Sequence, residues 1–117
     1  MGKFFKLIEK FSHPLPPEVA SPVLWGDMAV IENRLQDHFD QIEFGRDAMF
    51  APTMSPAHML KLFEKNAGPL ANLVKALADD PAKLSNLRSA ALVLIEKFFS
   101  NNFLRQDFLM TRCIKKV

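Results

Sequence analysis

The chain has 117 residues, 49% of them hydrophobic, and 15 basic against 13 acidic side chains for a net charge of +2. That length supports one core rather than two, with roughly two thirds of the unfolded surface buried on folding. The charges are spread along the chain with no run longer than Lys115-Lys116, so the basic stripe that displaces counterions from nucleic acid is absent and no nucleic-acid partner is expected.

Phe4, Leu7, Ile8 and Phe11 stand at i, i+3, i+4 and i+7, which predicts a short amphipathic helix over residues 2–12. Its stripe faces either a core or, with Lys3, Lys6 and Lys10 beside it, a membrane surface. The same lysines and Glu9 interrupt the apolar run, and no small-residue cleavage site follows, so the segment does not read as a secretory signal. The longest uninterrupted apolar run, Ala90 to Ile95, is six residues, against about twenty for a bilayer span. No membrane span is expected. The lone Cys113 closes no internal disulfide, which points to a reducing compartment and a cytoplasmic location.

Residues 13–27 form a proline-rich arm. Four of the eight prolines and the single tryptophan, Trp25, lie between Pro14 and Asp27, and each proline removes a donor and keeps its predecessor out of the helical region. Asp27 sits as an N-cap before Met28, Ile31 and Leu35, predicting a helix over 28–36.

Ile42, Phe44, Ala48 and Phe50 alternate with polar residues, predicting a strand over 41–51 with a bulge or bend at Gly45, ended by Pro52. Ser55-Pro56 opens a helix with Met59, Leu60 and Phe63 on its buried face, and Gly68-Pro69 stops it. Leu70, Leu73, Val74 and Leu77 mark a helix ending near Asp79, and Asp80-Pro81 opens the longest one, over 81–99. Ser100-Asn101-Asn102 is a polar break. A last strand over 108–115 is apolar on both faces and so belongs inside a sheet. The whole reads as one α+β, mostly helical domain of about five helices and two strands. Two strands do not bury each other, and something else must complete that sheet.

No reactive constellation emerges. His13, His38 and His58 lack neighbours at metal-ligand spacing, and Cys113 has no base or elbow motif beside it. The four glycines stand alone, so no phosphate-cradling loop can be built from them. Six methionines and eleven phenylalanines fit either an adaptable core or the wall of a pocket for a hydrophobic small molecule.

The run from Gly2 through Ser21, Pro22, Val23, Leu24, Trp25 and Gly26 is similar to a segment of a known family. It resembles the C-terminal half of class I S-adenosylmethionine-dependent methyltransferases of the group related to the ubiquinone and menaquinone biosynthesis enzymes. A proline-rich arm there leads into Ser-Pro-x-Leu-Trp-Gly. Looser matches are the strand with Phe44 and Arg46, the Pro-x-x-Ser-Pro segment at Pro52 to Pro56, Phe63 followed by Gly68-Pro69, and the terminal strand. The resemblance implies that both strands are the final antiparallel additions to a seven-stranded Rossmann-like sheet, and that the glycine-rich half holding S-adenosylmethionine has no counterpart in these residues. It further implies no catalysis and no cofactor binding by this chain alone. Trp25, Phe44, Met49, Phe50, Met59 and Phe63 are the implied substrate-pocket residues. Expected partners are a second copy, joined by strand pairing or swapping into a homo-oligomer, or a separately encoded cofactor-binding half. The competing expectation is a non-catalytic module derived from that fold, retained for oligomerisation or for holding a hydrophobic ligand.

Overall fold

The computed structural model describes residues 2–117, so the first residue of the single domain expected over the 117 residues lies outside what is described. Helix α1, Gly2–Phe11, forms where the apolar stripe predicts it. Phe4 and Ile8 are buried, with Leu7 and Phe11 packed beside them, so the stripe faces a core.

The arm that follows bends at its prolines, where the Val19 N–H donates to the Pro16 carbonyl at 2.9 Å. Pro22–Gly26, inside the stretch expected to be free of helix, is a short 3-10 turn. Pro22 sits at its start, where the missing N–H is harmless. Helix α2, Met28–Leu35, is capped as expected, the Asp27 carboxylate accepting from the Ala29 and Val30 N–H groups.

Strand β1 spans Phe39–Pro52, longer at both ends than the alternation suggested. Its irregularity is not at Gly45. Gly45 stands in register opposite Met110, and the extra residue falls between Asp40 and Glu43, where Gln41 takes a φ of 48°. The physical reason is the start of the ribbon: the Lys116 N–H bonds the His38 carbonyl and the Lys116 ammonium bonds the Gln36 carbonyl, so the strand must bulge to enter the ladder already anchored there.

Helix α3, Pro56–Asn66, and helix α5, Pro81–Phe98, start as expected. Ser55 Oγ accepts from the His58 N–H at 3.0 Å, and Asp80 Oδ1 from the Lys83 N–H at 3.1 Å. Helix α4, Gly68–Ala76, ends before Asp79, and Gly68-Pro69 does not merely stop α3 but opens α4, with Ala67 capping both helices. Arg88 of α5 donates to the Glu64 carboxylate of α3 at 2.7 Å. That hydrogen bond holds the Arg88 guanidinium above its usual pKa, against an opposing effect of burial and with a lesser contribution from the Glu64 charge.

The polar break after α5 is a hairpin. Strand β2, Phe99–Ser100, and strand β3, Phe103–Lys115, are joined by Asn101 and Asn102, with φ of 50° and 60°, the two-residue turn that needs two left-handed residues and suits asparagine. Strand β3 therefore begins five residues before the expected 108. The sheet is antiparallel in the order β1-β3-β2. The fold is α+β and mostly helical, with five helices among the described residues.

The core gathers α1, α3, α4, α5 and the start of β3. Met59, Leu70, Leu87, Ala91, Ile95 and Leu104 are its most enclosed members, and Phe4 meets Phe63 edge to face at 5.2 Å. Ile31, 1% exposed, is buried outside that cluster, on α2. No helix among the described residues is long and apolar enough to cross a membrane.

Truncating Leu87 to Ala should cost about 2–5 kcal/mol through lost burial and a residual cavity. Asn102→Gly should be neutral or stabilise by up to about 1 kcal/mol, while Asn102→Val should destabilise by about 1–2 kcal/mol. Chemical denaturation followed by circular dichroism reads all three, and a stabilised valine variant would contradict the turn assignment.

Candidate functional site

The six residues that the resemblance marks for a substrate pocket do not meet in one place. Trp25 is 55% exposed on the 3-10 turn, with the Arg34 guanidinium 5.0 Å from its ring centre. Phe44 is half-buried on β1, opposite Thr111, and lines an open groove of about 1050 Å³ between α1, the 3-10 turn, α2 and the sheet. Arg46 follows on the same face of β1 and lines the same groove. Met59 lies in the core at 4% exposure.

Met49 and Phe50, adjacent on an extended strand, point to opposite faces, and both are more than half exposed. Phe50 lines a shallow pocket of about 220 Å³ with Phe98, Phe103 and Arg105. Phe63 lines a separate cavity of about 250 Å³, to which Phe98 and Arg105 also belong. Phe98 and Arg105 line both pockets and so link Phe50 with Phe63, and Met59 stands one helical turn from Phe63 in the core.

That cavity also takes in Phe4 from α1 and Leu94, Ile95 and Phe98 from α5, which read in the sequence as ordinary core positions, and Leu104 from β3, which falls before the strand expected over 108–115. Nothing local could have marked them, since α1 and β3 are joined only by the tertiary fold. The wall is apolar, and the polar groups sit at the rim, on Lys3, Arg105, Gln106 and Asp107.

The groove is closed at one end by a hydrogen bond between distant elements. Ser21 Oγ donates to Glu9 Oε1 at 2.6 Å, which ties the arm to α1 across twelve residues of chain and fixes where the 3-10 turn begins. A second polar cluster lies at the junction of β1 and α3. Thr53, 6% exposed, shares a 3.1 Å hydrogen bond between its Oγ1 and His58 Nδ1, and its N–H donates to the Asn102 carbonyl. It closes the neck of the β1–β3 ribbon rather than facing either pocket. Among the described residues no three His, Cys, Asp or Glu side chains gather as a metal site.

Ser21→Ala should leave Glu9 without its partner, cost about 1 kcal/mol and speed proteolytic cleavage within residues 13–20. Arg34→Ala should raise acrylamide quenching of Trp25, the chain's only tryptophan; unchanged quenching would mean that the guanidinium does not cover the ring in solution. No family model, curated protein or solved structure matches the chain.

Proposed function

We propose that these residues are the substrate-side, C-terminal portion of a class I S-adenosylmethionine-dependent methyltransferase, inactive until joined to a glycine-rich half that holds the cofactor. The observation that carries the reading is the open edge of β3. This strand is paired with β1 along nearly its whole length, yet on the other side β2 covers only Phe103 and Leu104. Residues 105–115 leave an edge unpaired, on a strand that bears large apolar side chains on both faces. Phe108, Met110 and Ile114 are exposed on one of them, and Leu109 is half-buried on the other. An edge of that length and character is a template for another strand.

Two further features support the reading. Gly2 and Lys3 at the start of α1 share one cavity with Arg105, Gln106 and Asp107, so a strand leading into α1 would arrive beside the open edge. The apolar cavity lies at that same seam, its lining drawn from α1, α3, α5 and β3. The same edge favours a second reading, in which two copies of the chain pair through β3 as a homo-oligomer with no catalytic role. The lone Cys113, half-buried on β3, fits a reducing, cytoplasmic setting for either.

Calorimetric titration of the chain alone with S-adenosylmethionine should give no saturable heat, while its complex with a glycine-rich half should bind one equivalent; saturable binding by the chain alone would sink the proposal. Light scattering behind size-exclusion chromatography, at micromolar concentration, should show an assembly larger than one chain. A monodisperse monomer would remove the self-pairing reading.

A further inference from the structure

The 250 Å³ cavity has a composition that selects a ligand class. Most of its lining is apolar, from Phe4, Phe63, Leu94, Ile95, Phe98 and Leu104, and Lys3, Arg105, Gln106 and Asp107 supply the polar remainder. At about 30 Å³ for each water-sized or methylene-sized group, it has room for about eight such groups.

The rim carries charge. The Lys3 ammonium and the Arg105 guanidinium each stand 5.7 Å from the centre of the Phe98 ring, so both cations sit over the same aromatic side chain of the wall. The one carboxylate among the lining residues, Asp107, is held by Arg105 at 3.1 Å. Among the described residues, two cations against one carboxylate leave the rim one positive charge in excess, carried by Lys3. A guest with an apolar body inside and a single negative charge at the mouth satisfies both parts of the site, whereas a neutral head would gain only hydrogen bonds and a cationic one would meet the excess positive charge.

We propose that this cavity binds a small monocarboxylic acid with an alkyl or aryl body of about eight carbons, its carboxylate placed between Lys3 and Arg105. Its role as the methyl acceptor rests on the methyltransferase reading above, but its binding does not, because the cavity is lined by this chain alone.

Octanoate is the probe, with octan-1-ol and octyltrimethylammonium as neutral and cationic controls, titrated calorimetrically into the full chain. Octanoate should saturate at one equivalent with a dissociation constant of about 0.1–1 mM, as the size of the ligand allows, and both controls should bind about tenfold more weakly or not at all. The exposed double variant Lys3→Gln/Arg105→Gln should weaken octanoate about tenfold and leave octanol unchanged. Leu94→Trp, which fills the cavity from a half-buried helix position, should abolish octanoate binding with the circular dichroism spectrum preserved. Amide shifts in a heteronuclear NMR titration should centre on Leu94, Ile95 and Leu104. Failure of octanoate to saturate by about 10 mM, equal binding of octanol, wild-type affinity in Leu94→Trp, or shifts centred on the Phe44 groove would each overturn the proposal. A negative cofactor titration bears on the methyltransferase reading and leaves this result standing.

Discussion

The antiparallel ladder between β1 and β3 is the constraint on which the other contacts depend. It runs from Phe39 opposite Lys115 to Pro52 opposite Phe103, and it brings together two segments separated by the whole of α3, α4 and α5. The Thr53 N–H to Asn102 carbonyl bond closes the neck. Residues 53–102 are thereby an excursion with both ends pinned, and their three helices must pack on one another and on α1 within that closure. Closing so long a loop has an entropic cost that grows only slowly with its length, and the core around Leu87, Ala91 and Ile95 supplies the burial that offsets it.

The same ladder gives the molecule its shape. Its radius of gyration is 16.9 Å, with principal extents of 53 × 38 × 19 Å, whereas a compact chain of this length has about 13 Å. The excess comes from the ribbon. Near Ala51 and Leu104 it is sealed against the helices, but farther along it runs out with Met49, Phe108, Met110 and Ile114 uncovered. The cross-strand ion pair Arg112–Glu43, at 3.2 Å, is largely exposed to solvent and contributes little to stability. A ribbon of this kind is marginal by itself, and this is the physical basis for reading the chain as a portion of a larger sheet.

Much of the helical architecture was legible in the sequence because its signals are local. Ser55-Pro56 and Asp80-Pro81 each combine a side-chain acceptor with a proline at the one position where a lost N–H does no harm, and both caps form as written. The stripe of Phe4, Leu7, Ile8 and Phe11 specified a buried face without naming its partner. Strand boundaries were less legible. Asn101-Asn102 has the composition of a loop and also of a tight left-handed turn, and only its pairing with the flanking Ser100 and Phe103 distinguishes the two. Gly45 looked like the weak point of β1, yet a glycine can adopt ordinary strand geometry when its neighbours are held in register, and the bulge moved to Gln41, where anchoring by Lys116 imposed it.

The candidate site was the least legible part. Phe63 lines a cavity and Met59 fills the core, although both sit on α3 and are similar in hydrophobicity, because exposure along a helix depends on which neighbour arrives across from it. Sequence by itself determined the class of fold, the capped starts of α2, α3 and α5 and the doubly apolar character of the last strand, all properties of adjacent side chains. The tertiary structure alone decided that Lys3 and Arg105, about a hundred residues apart, flank one phenylalanine ring, and that one edge of β3 stays open. Both depend on long-range closure of the chain, which no local pattern encodes.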